Sequence, residues 1–320
     1  MQQSLQFSEP EVSFRDKLAV ELRTLAESRI FVGGSSWKYE GWLGSIYSAE
    51  RYRIKGRFSQ KRFEQECLSE YAETFPIVCG DFAFYQFPSP AFWQRLFAQA
   101  PPPFQFAFKA PEEITLPKFP KQARYGIRGG NANNDFLNVD LFRTQFLDLI
   151  RPYKEQIGVI LFEFGAAIEK HFETAAVFAE RLAVFLGALP RDFRFAIEIR
   201  TPDFLDTPYF AVLKEHGMAH VFNSWTAMPE LAEQISRPDC FPADFTVARA
   251  LLRTGRSYEE AVDLFAPYKE VRDRNDEVRA ALRQLLTRAK RRAEPTYVFV
   301  NNRLEGFAPG TIAAVVDPVD

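Results

Sequence analysis

Charged side chains at the ends of otherwise apolar strands are where this sequence carries its chemistry. The clearest stretch is Phe195–Arg200, FAIEIR, in which apolar and other residues alternate. Successive side chains of a strand point to opposite faces, so Ala196, Glu198 and Arg200 share one face and Phe195, Ile197 and Ile199 the other. Glu198 and Arg200 then stand about 7 Å apart. Charges on an apolar strand are costly unless paired or hydrogen-bonded. Thr201-Pro202 follows, and proline cannot continue the ladder. The two charges therefore sit at a strand's C-terminal end, where parallel α/β folds place their sites. A structural ion pair fits this stretch as well as a functional one.

The same pattern recurs along the chain. Ser35, Ser36, Trp37, Tyr39 and Trp42 follow a first strand, Asp81 and Tyr85 a second, and Lys109 ends a third. Glu163 lies near the end of a fourth, Arg249 ends a seventh, and Asn301 and Asn302 end an eighth. Lys109, Arg200 and Arg249 suit an anion clamp, because ammonium and guanidinium groups match carboxylate and phosphate. They equally suit neutralising Asp81, Glu163 and Glu198, three against three. Glu163 and Glu198, on neighbouring strands, suit a general acid and base or a glycosidase-like pair, depending on their separation. Trp37, Tyr39, Trp42 and Tyr85 offer faces for stacking, or packing alone.

A barrel is what would bring these ends together. The spacing predicts a helix from Ser13, with Phe14, Leu18, Leu22 and Leu25 on one face, after loose residues 1–12. Strands are expected at Ile30–Gly34, from Pro76 through IVCGDFAFY, and at Phe104–Lys109, Gly158–Phe164, Phe195–Arg200, Ala219–Asn223, Ala243–Arg249 and Thr296–Asn301. Helices are expected between them, including Leu141–Ile150, His171–Leu186, a Ser257/Glu260 capping box opening Tyr258–Phe265, and a closing helix Pro309–Val316. Pro111–Asn138 reads as a long Pro-, Gly- and Asn-rich loop. Eight strands alternating with helices indicate one α/β domain, a (β/α)8 TIM barrel over residues 30–320, preceded by an extension and helix over residues 1–29. A doubly wound sheet is the alternative, but no glycine-rich fingerprint follows the first strand.

Composition narrows the function. A formal charge of −2 supplies no general attraction to nucleic acid or anionic membrane. The loop Lys118–Arg128, with four basic residues, is the one feature in favour of nucleic acid, which stays as a further alternative. Three scattered cysteines and the lack of any apolar run near 18 residues point to a cytoplasmic protein without a membrane span. None of the histidines, His171, His216 and His220, stands at a strand's C-terminal end, which speaks against a histidine-rich metal site. No cofactor is called for, although the carboxylates leave room for an oxygen-ligated Mg²⁺ or Mn²⁺. No Walker loop, HExxH or GxSxG is present.

Taken in order, the motifs resemble the YecE-like family, also called domain of unknown function 72. They are GGSSWKYEGWLGSIY (Gly33–Tyr47), FYQFPS (Phe84–Ser89), FAFKAPEEIT (Phe106–Thr115), AIEIR (Ala196–Arg200), the arginine of VAR (Arg249) and FVNNRLEGFAP (Phe299–Pro309). The resemblance implies a TIM barrel and no established reaction. Glu198, Arg200, Arg249 and Asn301-Asn302 keep the family's pattern. Cys79 and Asp81 stand where a Glu-x-Asn segment is frequent, and Glu163 is followed by Phe164-Gly165 where a glutamine and prolines are usual. The stretch after Arg249, Ala250 to Gly255, lacks the common His-Gly pair.

The expectation is a hydrolase-like barrel enzyme acting by acid/base chemistry on a small anionic or phosphorylated substrate. Glu198 and Glu163 are its candidate catalytic residues. Arg200, Arg249, Lys109, Asn301, Asn302, Trp37, Tyr85 and Asp81 are its candidate binding residues. A non-catalytic metabolite- or partner-binding barrel is the alternative, and oligomeric state is left open.

Overall fold

The computed structural model describes residues 12–317. Eight parallel strands close into a barrel: β1 (Ile30–Gly34), β2 (Ile77–Gly80), β3 (Gln105–Lys109), β4 (Ile157–Phe164), β5 (Phe195–Ile199), β6 (Ala219–Ser224), β7 (Thr246–Ala250) and β8 (Thr296–Val300). Each pairs with its sequence neighbours, and β8 closes on β1. β1 and β2 approach so closely that a Cβ on Gly33 would lie 2.0 Å from the Ile77 carbonyl oxygen. Only glycine fits there.

Alternation along the strands divides the core in two. Ile77, Cys79, Ala107, Val159, Leu161, Ala196, Val221, Val247, Tyr297 and Phe299 fill the barrel interior. The opposite strand faces, Phe106, Phe108, Phe162, Phe164, Phe195 and Ile197 among them, pack against the surrounding helices. The heavy use of phenylalanine is spent largely in this outer layer. The interior above the apolar residues takes the continuation of the same alternation, namely Lys109, Glu163, Glu198 and Arg249.

The extra helix, Phe14–Glu27, is capped by Ser13 and buries Leu18, Leu22 and Leu25. Its Arg15 donates at 2.9 Å to buried Glu70, which also accepts from the Tyr52 hydroxyl and the Ser48 amide. The expectation of loose residues 1–12 lies, up to residue 11, outside the described residues.

Several boundaries move. The second strand stops at Gly80, because Asp81 adopts a turn conformation (φ −105°, ψ 0°) and Phe82–Tyr85 coils into a short helix. The helix expected from His171 starts at Ala175, where Thr174 supplies the cap, and β7 starts at Thr246 rather than Ala243. The segment 139–150 is helical but passes through one wide turn at Arg143–Leu147. The long loop after β3 contains a short helix, Glu112–Thr115, and tight turns over Ala123–Arg128. Two short helices unforeseen in the sequence, Leu231–Ser236 and Asn302–Glu305, follow β6 and β8. Among the described residues no helix is long and apolar enough to cross a membrane.

Candidate functional site

The strand alternation places an ionic layer across the top of the barrel interior. Glu163 on β4 and Glu198 on β5 are register partners. Three cations converge on them. Lys109 Nζ lies 2.9 Å from Glu163 Oε2, Arg200 Nη2 donates to the same oxygen at 2.7 Å, and Arg249 Nη1 reaches it at 3.1 Å. Arg200 Nε donates to Glu198 Oε1 at 2.9 Å, and Arg249 Nη1 also donates to Glu198 Oε2. Three positive charges thus meet two negative ones. Asp81, expected to complete the balance, is exposed on the turn after β2 and forms no ion pair among the described residues.

Burial pushes the Glu163 carboxyl toward its neutral form, but Arg200, Lys109 and Arg249 outweigh it and hold the group well below the usual carboxylate range. Burial pushes Lys109 down, Glu163 opposes that, and the two neighbouring guanidiniums add to it; the net direction is down. Burial also acts to lower Arg249, yet Glu198 and Glu163 win and its pKa rises.

Above this layer opens a cavity of about 280 Å³. Lys109, Glu163, Arg200 and Arg249 form its floor, and Asp81, Tyr85, Arg124, Trp225, Tyr258, Asn301 and Arg303 stand around it. Aromatic rings brace the cations. Arg200 lies 3.7 Å over Trp225, Lys109 3.5 Å over Phe84, Arg303 4.2 Å over Tyr258 and Arg124 5.0 Å from Tyr85. Such contacts contribute about 0.5–2 kcal/mol each and keep long side chains in place. Asn301 caps the turn after β8 by accepting from the Arg303 amide at 2.9 Å, which sets Arg303 at the wall. Arg124 arrives on the long loop, anchored to Glu112 at 3.0 Å.

The cavity unites seven of the expected site residues: Asp81, Tyr85, Lys109, Glu163, Arg200, Arg249 and Asn301. Three others lie elsewhere. Glu198 is fully buried beneath the floor, with both oxygens held by guanidiniums. Asn302 points into its own turn, where Oδ1 accepts from the Ala308 amide at 2.7 Å. Trp37 packs edge-on against Phe82 within the core, and Trp42 stacks on Tyr47 and Tyr71. Trp225, Tyr258, Arg303 and Arg124 were missed by the sequence reading. Trp225 and Arg303 follow β6 and β8 within three residues of their ends, so the strand-end rule carried two residues past Asn223 and one past Asn302 would have found them. Arg124 belongs to the basic loop Lys118–Arg128, and Tyr258 opens a capped helix, but neither signal points to the rim.

Among the described residues no three His, Cys, Asp or Glu side chains group to hold a metal ion. The oxygens of Glu163 and Glu198 face guanidinium and ammonium groups, which is not the donor set of Mg²⁺ or Mn²⁺. In the basic loop Lys118–Arg128, Arg124 and Arg128 are tied to Glu112 and Glu113. A larger hollow of about 720 Å³ lies at the opposite end of the barrel, beside the N-terminal helix. Its wall is mainly apolar and gathers no comparable charge, so the rim cavity is the candidate site.

A family model described as "Protein of unknown function DUF72" matches residues 31–320. A solved DUF72 family protein from Thermotoga maritima MSB8 is 20% identical, over 89% of this chain and 96% of that one, with a TM-score of 0.59. Another, from Enterococcus faecalis V583, is 17% identical over 89% and 95%, with a TM-score of 0.58. These likenesses concern the fold. No curated protein matches the chain.

Proposed function

We propose that the chain, which belongs to the DUF72 family, binds a small anionic substrate in the rim cavity and acts on it by acid/base chemistry. The observation that carries this reading is the surplus cation of the floor. Lys109, Arg200 and Arg249 face only two carboxylates. A desolvated excess charge is costly, and a carboxylate or phosphate seated above the layer offsets it. Arg124 and Arg303 add donors from the walls. A volume near 280 Å³ is below the range of drug-sized sites, so the substrate is a small metabolite.

Proton transfer falls to Asp81 in this reading. Glu163 is held ionised by three cations, and Glu198 does not reach the cavity. Asp81 lines the cavity without a cationic partner among the described residues. The free, buried cysteines suit the reducing cytoplasm.

A non-catalytic binding barrel is favoured by one observation, the capture of both Glu198 oxygens by Arg200 and Arg249. Thermal unfolding in the presence of inorganic phosphate, small phosphate esters and dicarboxylates tests the shared part of both readings. A ligand bound only by the folded state raises the melting temperature. The rise is expected in wild type and is reduced in Arg303→Gln, a wall substitution outside the buried layer. Equal rises in both proteins, or none, would sink the anion site. Turnover of a ligand so identified, lost in Asp81→Asn while binding persists, separates enzyme from binder.

A further inference from the structure

Lys109 has a place in the cavity that suits more than anion binding. It is the only lysine among the residues lining the cavity, at the C-terminal end of β3 and facing the barrel interior. Its side chain is 7% exposed. The amine is held at a fixed point by Glu163 Oε2 at 2.9 Å and by the Phe84 ring at 3.5 Å. Arg200 and Arg249 bond the same Glu163 oxygen, so two permanent cations crowd the amine. Unlike a guanidinium, an ammonium gives up its charge when desolvated beside other cations, and it then becomes a nucleophile toward carbonyl carbon. The two guanidiniums already balance both carboxylates, so Lys109 carries the surplus charge of the floor, and an iminium formed on it keeps that charge.

We propose that Lys109 is a covalent nucleophile that forms an imine with a small carbonyl compound bearing a carboxylate or phosphate group. This rests on the anion-site reading, because the Arg200, Arg249, Arg124 and Arg303 guanidiniums must hold the charged end of that substrate. The direction of the Lys109 pKa, lowered by burial and by both arginines against the pull of Glu163, agrees with the geometry.

The step balances without a further reactant. The ammonium releases a proton, and its nitrogen pair attacks the carbonyl carbon, forming the C–N bond. The carbonyl π pair moves to oxygen, which takes up a proton to give the carbinolamine. A second proton from nitrogen reaches that oxygen, the C–O bond breaks, and water leaves. The nitrogen pair closes the C=N bond. Ammonium plus carbonyl becomes iminium plus water, with charge conserved. Asp81, on the same cavity wall, is the group available to relay the protons.

Reductive trapping tests this on the full-length chain. Pyruvate and glyceraldehyde 3-phosphate are each added near neutral pH with sodium cyanoborohydride, and the modified peptides are mapped by mass spectrometry. One adduct that survives denaturation is expected on Lys109, formed faster than on any other lysine and slowed by inorganic phosphate. Which probe labels tells carboxylate from phosphate. Lys109→Arg, which keeps a cation beside Glu163, loses the adduct. Mapping on the wild-type chain keeps the result readable if that variant folds poorly. If phosphate raises the melting temperature but label is absent or spreads evenly over surface lysines, the imine is overturned and the anion site stands. With neither a thermal shift nor label at Lys109, both are overturned.

Discussion

Two buried ion clusters in this barrel use the same chemistry to different ends. Near the C-terminus, Arg279 grips Glu305 in a bidentate pair, Nη2 to Oε2 at 2.7 Å and Nε to Oε1 at 2.9 Å. The Asn275 amide and the Thr311 hydroxyl also donate to Glu305. One charge meets one, and both side chains are buried away from the rim cavity. At the rim three cations meet two carboxylates, and the layer opens on a cavity. A balanced pair away from the cavity needs nothing else and fixes the turn Asn302–Glu305, from which Arg303 reaches the cavity wall. The unbalanced, open cluster is the one on which the proposed anion site rests. Charge count and access, rather than the presence of buried charge, separate scaffold from site.

The contrast breaks most visibly at Glu305. Glu305→Gln leaves Arg279 buried and uncompensated, and should cost about 3–5 kcal/mol in chemical denaturation. Phosphate-dependent stabilisation, where the variant stays folded, should persist. An unchanged denaturation midpoint would refute the scaffold role.

Arg249→Met should have the complementary outcome. Lys109 and Arg200 still balance Glu163 and Glu198, so the intrinsic loss is smaller, about 1–3 kcal/mol for bonds removed. The surplus charge is gone, and the thermal shift with phosphate should vanish. A variant that keeps the full shift would show that the surplus is not what binds.

Acid titration tells the rim layer from a third buried group. His220 is pushed down to about 3 by burial, and its Nδ1 meets the Tyr209 hydroxyl at 3.0 Å. The unfolded histidine takes a proton near pH 6.5 while the folded one does not. The stability that His220 contributes is therefore complete above pH 6.5 and is lost as pH falls toward 3, by about 1.4 kcal/mol per unit at most. Glu163, with a depressed pKa, keeps its contribution down to the ordinary carboxylate range and loses it as the pH falls through and below that range. Melting temperatures between pH 7 and 5 should fall in wild type and less steeply in His220→Gln. Parallel slopes would assign the loss elsewhere.

The smallest expected effect on stability belongs to Asp81→Asn. This side chain is exposed and outside both clusters, so unfolding should change by roughly 0.5 kcal/mol or less. A larger loss would place Asp81 in the ionic layer after all.

Much of this was legible in the chain itself. Period-two alternation told which residues of FAIEIR share a face, and the proline after Thr201 told where the strand ends. Alternation on this strand and on β3, together with charges at the ends of the other apolar runs and the strand–helix order, was enough for the barrel and for the candidates Lys109, Glu163, Glu198, Arg200 and Arg249. Alternation works because strand geometry dictates side-chain direction from backbone position alone. The folded structure decided which of those charges pair. Asp81 fell outside the layer when its backbone turned, Glu198 was sealed by two arginines, and Asn302 and Trp37 were taken up by packing. It also recruited Arg124, Trp225, Tyr258 and Arg303 from four separate connections. Pairing depends on how far side chains reach between segments as distant as residues 109 and 249, and no local pattern encodes that distance.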